Sequence, residues 1–311
     1  MMPKILIFGL LAFPLTGLCQ GKKNSYPPVL AGSQVHTYKT VGDVKLNLYV
    51  FAPEGHQARD RKPVAVFFFG GGWNSGSPAQ FQHQCRYLAS RGMVGITADY
   101  RVKSRHNTPA ATCVEDAKSA IRWIRQHADE LGVDPDKLVA GGGSAGGHLA
   151  ACTGVINGFE AAGEDTATSS RPNAMMLFNP ALVMAATDAD LPASWIEKYA
   201  TMDERMGVPA KALSPFHHVE KGAPPCIIFH GKADSTVPYA TATLFEQAMK
   251  AAGSDCTLVG YEGEPHGFFN FGRGDNRAFI DTLKQADAFL VKRGYLSGEN
   301  KVESFTSTLS K

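Results

Sequence analysis

Apolar residues follow two patterns along the chain. The runs HTYKTV (36–41) and VKLNLYVFAP (44–53) alternate apolar and polar positions, which predicts an antiparallel hairpin of half-buried strands. From Val64 onward the apolar runs are short and almost continuous, as is typical of strands buried on both faces of a parallel sheet. These later runs are AVFFF, MVGITA, KLVAG, AMMLF and CIIFH.

Segments with helical spacing separate these runs. Ser77 and Pro78 are suited to cap and begin one helix, and two further helices are predicted within 114–132 and 279–294, each ended by a glycine. Strands and helices therefore alternate after an antiparallel start. The pattern predicts a single α/β domain with a mostly parallel sheet of about eight strands and helices on both faces, covering residues 35–295.

Three segments fall outside this alternation. Residues 184–222 separate the AMMLF and CIIFH strands and are too long for a simple crossover, which predicts a small helical cap over one end of the sheet. Residues 20–34 are expected to form an N-terminal linker. The polar tail, residues 296–311, is expected to be disordered.

The first 19 residues have the layout of a secretory signal peptide: Lys4, an apolar run, and small residues before the end. Cleavage after Cys19 predicts a secreted or periplasmic protein. A lipid anchor on Cys19 is the competing interpretation, but Leu18 lies where a small residue is wanted. The apolar run is also too short to span a bilayer comfortably, so no stable membrane insertion is expected.

Charge and cysteine content exclude several classes of function. The formal net charge is +2 and no segment gathers the basic residues into a stripe, so nucleic acid is not an expected partner. The six cysteines are widely spaced without a C-x-x-C pair, which argues against a zinc site or a disulfide scaffold. Five would remain after cleavage, so at least one would be free.

The first candidate for a catalytic residue is Ser144. It lies in the segment Gly142-Gly143-Ser144-Ala145-Gly146, which matches G-x-S-x-G. The motif alone is weak, but here the serine falls between a predicted strand and a predicted helix, the context of a catalytic nucleophile. A phosphate-binding loop would need lysine and then serine or threonine after the second glycine, where this chain has His148 and Leu149. A flexible loop is the remaining alternative.

A serine nucleophile needs a histidine base and a group that orients that base. Among the ten histidines, His266 follows the final strand-like run, TLVGYEG (257–263), and is expected on the same sheet edge as Ser144. Asp234 follows the CIIFH strand and is the best orienting acid. Fallback acids are Asp255, Glu262 and Glu264. Structural or lesser roles are expected for four other histidines, His148, His217, His218 and His230.

The segment FFFGGGWNSG can supply the backbone donors that a tetrahedral intermediate requires. The amides of Gly71 and Gly72, together with the amide of Ala145, are the predicted oxyanion hole. Aromatic side chains near this site can stack on a sugar ring or a feruloyl group, or belong to the core. These candidate substrate-binding residues are Trp73, Phe268 and Phe269.

In order along the chain, FFFGGGW, ADYR, GGSAGGHLA, HGKADSTVP and EPHGF resemble the α/β-hydrolase superfamily, over roughly residues 35–295. The sequence is most similar to hormone-sensitive-lipase-like carboxylesterases and secreted bacterial carbohydrate esterases of the acetyl xylan and feruloyl type. The family usually has histidine where this chain has Phe69, so its side-chain bracing of the glycine loop is missing. Asp99 and Arg101 fall in the family's structural D-Y-R segment and are expected to form an internal ion pair.

The resemblance implies a secreted serine esterase that acts through an acyl-enzyme, with Ser144 as nucleophile, His266 as base and Asp234 as orienter. No metal or organic cofactor is required. Removal of acetyl or feruloyl groups from carbohydrates is the favoured activity. The alternatives are a lipase or general short-chain carboxylesterase, a prolyl-oligopeptidase-type peptidase, and a non-catalytic ligand-binding protein on the same fold.

Overall fold

A sheet of eight strands organises residues 26–309, the part of the chain that the computed structural model describes. The predicted signal peptide (1–19) and the first residues of the predicted linker lie outside this range. The strands are β1 (Gln34–Val41), β2 (Val44–Phe51), β3 (Lys62–Phe68), β4 (Val94–Ala98), β5 (Val133–Gly143), β6 (Ala174–Phe178), β7 (Cys226–Gly231) and β8 (Cys256–Tyr261). Their order across the sheet is β1-β2-β4-β3-β5-β6-β7-β8.

The strand directions agree with the predicted α/β architecture. β1 and β2 form the antiparallel hairpin, with Val41 opposite Val44 at its turn. β2 also pairs antiparallel with β4, whereas the pairs from β4 through β8 are all parallel. The mostly parallel sheet with an antiparallel start is therefore confirmed.

Helices cover both faces of the sheet and form the region between β6 and β7. They are α1 (Gln82–Ser90), α2 (Lys103–His106), α3 (Ala110–Gln126), α4 (Ala128–Leu131), α5 (Ala145–Val155), α6 (Ala193–Ile196), α7 (Met202–Met206), α8 (Tyr239–Ala251), α9 (Arg277–Lys292) and α10 (Val302–Ser307). Short 3-10 helices occur at Ala58–Asp60, Pro78–Phe81, Glu197–Thr201, Ala210–Leu213 and Pro215–His218. Within residues 26–309, none of the helices has the length and apolar character needed to cross a bilayer.

Alternation along each central strand builds two cores, one on each face of the sheet. On β3, Val64, Val66 and Phe68 join the core formed with α3, α5 and α8. Ala65 and Phe67 point to the opposite face and join the core formed with α1 and α9. Burial on both faces explains why these strands read as continuous apolar runs.

The C-terminal tail, which was predicted to be disordered, contains a short helix. Residues 302–307 form α10, whose Val302 is fully buried. The ring of Phe305 packs edge-on against Tyr87 of α1, with ring centroids 5.4 Å apart. Two apolar side chains in a polar segment thus suffice to hold one short helix against the domain.

The expected ion pair between Asp99 and Arg101 is not formed. The Arg101 guanidinium instead binds Asp116 of α3 through two hydrogen bonds, of 2.8 Å to Oδ2 and 2.7 Å to Oδ1. A planar guanidinium matches both oxygens of one carboxylate, so this pair is bidentate. Asp99 accepts hydrogen bonds from the Tyr26 hydroxyl and, at 2.8 Å, from the Tyr100 N–H.

Burial makes Asp99 a pH-dependent element of stability. Only 1 % of Asp99 is exposed, and burial raises the pKa of its carboxyl to about 6, despite hydrogen bonds that favour the charged form. In the unfolded chain the carboxyl ionises near pH 3.8. Between these two values the folded protein holds the proton more tightly, so this residue's contribution to stability falls as the pH rises.

We expect Asp99→Asn to gain stability relative to the wild type as the pH rises from 4 to 7, by up to about 3 kcal/mol, because the amide has no charge to desolvate. Urea unfolding of both proteins at several pH values measures this difference. A difference that does not change with pH would contradict the proposed origin.

Candidate active site

Ser144 lies on a sharp turn between β5 and α5, with a φ of +53° that non-glycine residues seldom adopt. Its glycine neighbours are required by close backbone contacts. A methyl group on Gly146 would lie 2.0 Å from the Phe68 carbonyl oxygen, and one on Gly142 would lie 2.5 Å from the same atom. Side chains at either position would force the turn away from β3, so the motif meets a steric condition of the fold.

The structure brings Ser144, His266 and Asp234 together at one edge of the sheet. The Ser144 Oγ is 3.0 Å from His266 Nε2, and His266 Nδ1 is 2.7 Å from Asp234 Oδ2. These residues follow β5, β8 and β7, whose carboxyl ends meet at the same edge because the strands are parallel. The distances are those of a hydrogen-bonded nucleophile, base and orienting acid.

The loop after β7 keeps the Asp234 carboxylate ionised. Burial raises its pKa, but hydrogen bonds from His230, His266 and the Val237 N–H together hold that pKa below its ordinary value. The second oxygen, Oδ1, accepts the N–H groups of Thr236 and Val237 at 2.8 and 2.9 Å. Both oxygens are thereby fixed, and Oδ2 is directed at His266.

His230 also shapes this loop, as expected from its position. Its Nε2 lies 2.8 Å from the Val237 carbonyl oxygen and 3.3 Å from Asp234 Oδ2. The fallback acids lie in other contacts. Asp255 pairs with Lys292 and Arg293, the Glu262 carboxylate pairs with Lys232, and Glu264 accepts the Ala233 N–H through its backbone carbonyl.

Gly71, Gly72 and Ala145 border the same cavity as Ser144 and His266. Their N–H groups donate no hydrogen bond to any protein group within residues 26–309. Gly71 and Gly72 have φ values of +124° and +62°, so the loop follows a path that disfavours other residues. Free amides beside a serine hydroxyl are suited to bind a developing oxyanion.

Other contacts brace this loop in the absence of the family histidine. The Phe69 ring stacks on Tyr100 with a centroid distance of 4.1 Å, and the Tyr100 hydroxyl donates to the Phe69 carbonyl at 2.7 Å. From the cap, Arg205 Nη2 donates to the Gly72 carbonyl at 3.0 Å. Tyr100 thus holds the end of β3, and Arg205 holds the glycine loop that follows it.

A chain of amide hydrogen bonds joins the glycine loop to the histidine loop. The Gly70 N–H donates to Gln80 Oε1 at 2.6 Å, and Gln80 Nε2 donates to Asn270 Oδ1 at 3.0 Å. Asn270 Nδ2 in turn donates to the carbonyl of Gly267, the residue after His266, at 2.8 Å. Gln80 therefore fixes the spacing between the two halves of the site.

The three candidate aromatic residues have different positions. Trp73 borders the cavity, although it is only 5 % exposed, and Phe269 borders it from the core. Phe268 does not border the cavity. Its ring packs against Tyr261 in the core on the α9 face, so the prediction that Phe268 contacts substrate has no geometric support.

His148 anchors Trp73 and does not contact Ser144 through its ring. Burial lowers the pKa of His148 to about 4, so its ring is neutral. Its Nδ1 accepts the Trp73 indole N–H at 3.2 Å, and its Nε2 donates to the Leu213 carbonyl at 2.7 Å. The ring thereby links the glycine loop to the cap, in keeping with the structural role expected for it.

His217 and His218 likewise make contacts within the connection between β6 and β7. His217 Nδ1 lies 2.8 Å from Ser214 Oγ, and His218 Nε2 lies 2.9 Å from the Lys211 carbonyl oxygen.

The sequence did not predict several residues of the cleft. The cavity has a volume of about 400 Å³, and the cap supplies much of its wall. Asn179, which directly follows β6 and holds the Gly267 N–H at 2.9 Å, shares the strand-end position that identified Asp234. A polar residue directly after a buried apolar run could therefore have identified Asn179 from the sequence. No comparable signal marks the others: Gln80, Met184, Trp195, Lys198, Met202, Arg205, Asn270 and Arg273.

Within residues 26–309 no group of three or more histidine, cysteine, aspartate or glutamate side chains is placed to hold a metal ion. The five cysteines in that range are all buried and free.

An eight-stranded, mostly parallel sheet with this strand order, and a serine on the turn after β5, defines the α/β-hydrolase class. The BD-FAE family model matches residues 48–249. The chain belongs to this family of esterases with the α/β-hydrolase fold.

Solved structures and curated relatives point the same way. Esterase 2 of Thermogutta terrifontis with butyrate bound is 55% identical, covering 89% of this chain and 100% of that chain, with a TM-score of 0.84. The same esterase phosphorylated by paraoxon is 55% identical, covering 88% and 99%, with a TM-score of 0.82. Esterase LipC of Mycobacterium tuberculosis is 31% identical over 224 residues, 66% of this chain and 53% of LipC. The chain spans about half the length of the curated relatives it matches.

We expect Gln80→Ala to lower kcat for a short aryl ester by about 10- to 100-fold with little change in KM, because the glycine loop and His266 would lose their fixed spacing. Gln82→Ala is the matched control, since Gln82 makes no side-chain hydrogen bond within the described chain. Steady-state kinetics of both variants test the role. A Gln80→Ala enzyme with wild-type kcat would rule it out.

Proposed function

We propose that this protein is a serine carboxylic-ester hydrolase that works through an acyl-enzyme on Ser144. The observation that carries the proposal is the continuous hydrogen-bonded arrangement from Ser144 Oγ through His266 to Asp234, at 3.0 and 2.7 Å. Membership of an esterase family supports it.

In the proposed reaction His266 Nε2 takes the hydroxyl proton as Ser144 Oγ attacks the ester carbonyl carbon. The amides of Gly71, Gly72 and Ala145 stabilise the oxyanion. His266 then protonates the departing alcohol, leaving an acyl-Ser144 ester. Water then gives a proton to the same nitrogen as it attacks the acyl carbon. When the bond between that carbon and Ser144 Oγ breaks, His266 returns the proton to Oγ, which releases the acid and restores the Ser144 hydroxyl.

Asp234 orients the imidazole and stabilises its charged form during both steps. Its lowered pKa keeps it ionised across the working range of an ordinary esterase. No step of this sequence calls for a metal or an organic cofactor.

For the substrate we propose a carbohydrate that carries either a short acyl group, acetyl, or an aromatic one, feruloyl. Trp73 and Trp195 both border the cleft, and although they are only 5 % and 3 % exposed, their uncovered parts can contact a sugar or a feruloyl ring. The butyrate in the related esterase 2 structure supports a small acyl group. The apolar side chains of Met184 and Met202 favour a general short-chain carboxylesterase as the second candidate.

Secretion or export to the periplasm belongs to this proposal. It depends on the sequence of residues 1–19, since lysine, apolar run and small residues follow one another there as in a cleaved signal.

We expect Ser144→Ala to lower hydrolysis of p-nitrophenyl acetate by at least about 1,000-fold, because the nucleophile is removed. The control is Ser194→Ala, on the exposed surface of α6. Paraoxon should inactivate the wild type by transferring one diethylphosphoryl group to Ser144 Oγ with release of p-nitrophenolate, and peptide mass spectrometry locates the group. Wild-type turnover by Ser144→Ala, or labelling elsewhere, would contradict the mechanism.

On the substrate class, we expect the highest kcat/KM for acyl chains of two to four carbons and measurable release of acetate from acetylated xylan or of ferulate from methyl ferulate. A series of p-nitrophenyl esters and the two natural-type substrates test this. A maximum at long acyl chains would favour a lipase and defeat the carbohydrate proposal.

A further inference from the structure

Three cationic side chains border the cleft that holds Ser144 and His266. Lys198 and Arg205 come from the connection between β6 and β7, and Arg273 from the loop between His266 and α9. They approach from two separate elements of the fold. Positive charge is therefore distributed around the opening and is not the exposed face of a single helix.

None of the three cations is paired with a carboxylate within 4.0 Å among residues 26–309. Lys198 Nζ donates to the Thr236 carbonyl at 2.8 Å and lies 4.7 Å from the Trp195 ring centroid. Arg205 donates to the Gly72 carbonyl and lies 5.0 Å from the Trp73 ring centroid. The Arg273 side chain has no hydrogen-bond partner within the described residues. Each cation therefore retains N–H donors for a ligand.

No acidic side chain balances them in the cleft. The residues that border the cavity, all from the described part of the chain, include no aspartate or glutamate. Glu204 borders the neighbouring recess beyond Arg205. A partly enclosed cleft that is bordered by cations and by no carboxylate attracts anions.

From this arrangement we propose that the cleft selects esters that carry a carboxylate, with Lys198, Arg205 and Arg273 as its specificity-determining residues. This inference rests on the proposed esterase function. The anionic group can belong to the alcohol, as in an acylated uronic acid, or to the acyl chain, as in a dicarboxylic half-ester. Both present the same carboxylate to the cleft, and the experiment separates them.

Two matched pairs of substrates provide the test. On the alcohol side, 4-acetoxybenzoate is compared with its neutral isostere 4-acetoxybenzamide. On the acyl side, mono-4-nitrophenyl adipate is compared with 4-nitrophenyl adipamate. We expect the wild type to prefer the anionic member of at least one pair by about 10-fold in kcat/KM, and 0.5 M NaCl to reduce that preference.

Variants assign the preference to the three cations. Each of Lys198→Gln, Arg205→Gln and Arg273→Gln should lower the anionic-to-neutral ratio by about 2- to 5-fold, and the triple variant should bring it close to 1. The ratio is the readout because Arg205 also contacts the glycine loop. Arg59→Gln removes an exposed charge outside the cleft and should leave the ratio unchanged.

A binding measurement keeps this test independent of turnover. Trp73 and Trp195 border the cleft, so their fluorescence can report binding of 4-hydroxybenzoate and 4-hydroxybenzamide to Ser144→Ala. Tighter binding of the anion, lost in the triple variant, supports the proposal even if no ester is hydrolysed. Hydrolysis of neutral esters without an anionic preference in kinetics or binding overturns this inference and leaves the esterase function standing. A preference that survives in the triple variant also overturns it.

Discussion

The contact between the turn at Ser144 and the end of β3 is the constraint on which the site depends. Gly142 and Gly146 pass so close to the Phe68 carbonyl that neither has room for a β-carbon. The same contact places the glycine loop after β3 next to the serine. One backbone approach thus sets the conformation of Ser144 and its distance from the free amides of Gly71 and Gly72. Strain at Ser144 persists because β3, β5 and α5 together determine the path of the turn.

Electrostatics adds the second condition, which is a fixed and charged Asp234. A buried carboxylate is unfavourable unless hydrogen bonds compensate for lost hydration. Here two backbone amides hold one oxygen, and His266 and His230 approach the other. At Asp99 fewer hydrogen bonds compensate for lost hydration, so burial dominates and raises the pKa of its carboxyl to about 6. The pKa values of two buried aspartates of one fold are therefore shifted in opposite directions.

The sequence predicted those parts of the molecule that local patterns encode. Continuous apolar runs identified the parallel strands, and chemistry-bearing residues just after those runs, Ser144, Asp234 and His266, meet at one edge because parallel strands end together. Contacts between distant segments left no such pattern. Gln80 and Asn270 are 190 residues apart, and Arg101 pairs with Asp116 of α3, 15 residues along the chain, and not with Asp99. The prediction of a disordered tail was wrong because Val302 and Phe305 pack against apolar side chains of the domain.

The cap connects the proposed substrate-selecting cations to the loop of the proposed oxyanion donors. Arg205 borders the cleft and also holds the Gly72 carbonyl, while His148 joins Trp73 of the same loop to Leu213 of the cap. A ligand that draws the Arg205 guanidinium toward itself therefore acts on a group that positions Gly72, one of the proposed oxyanion donors. Because that guanidinium has donors to spare, it can bind a carboxylate while keeping the Gly72 contact. In this proposal, charge recognition in the cleft and the geometry around Ser144 are physically linked through one side chain.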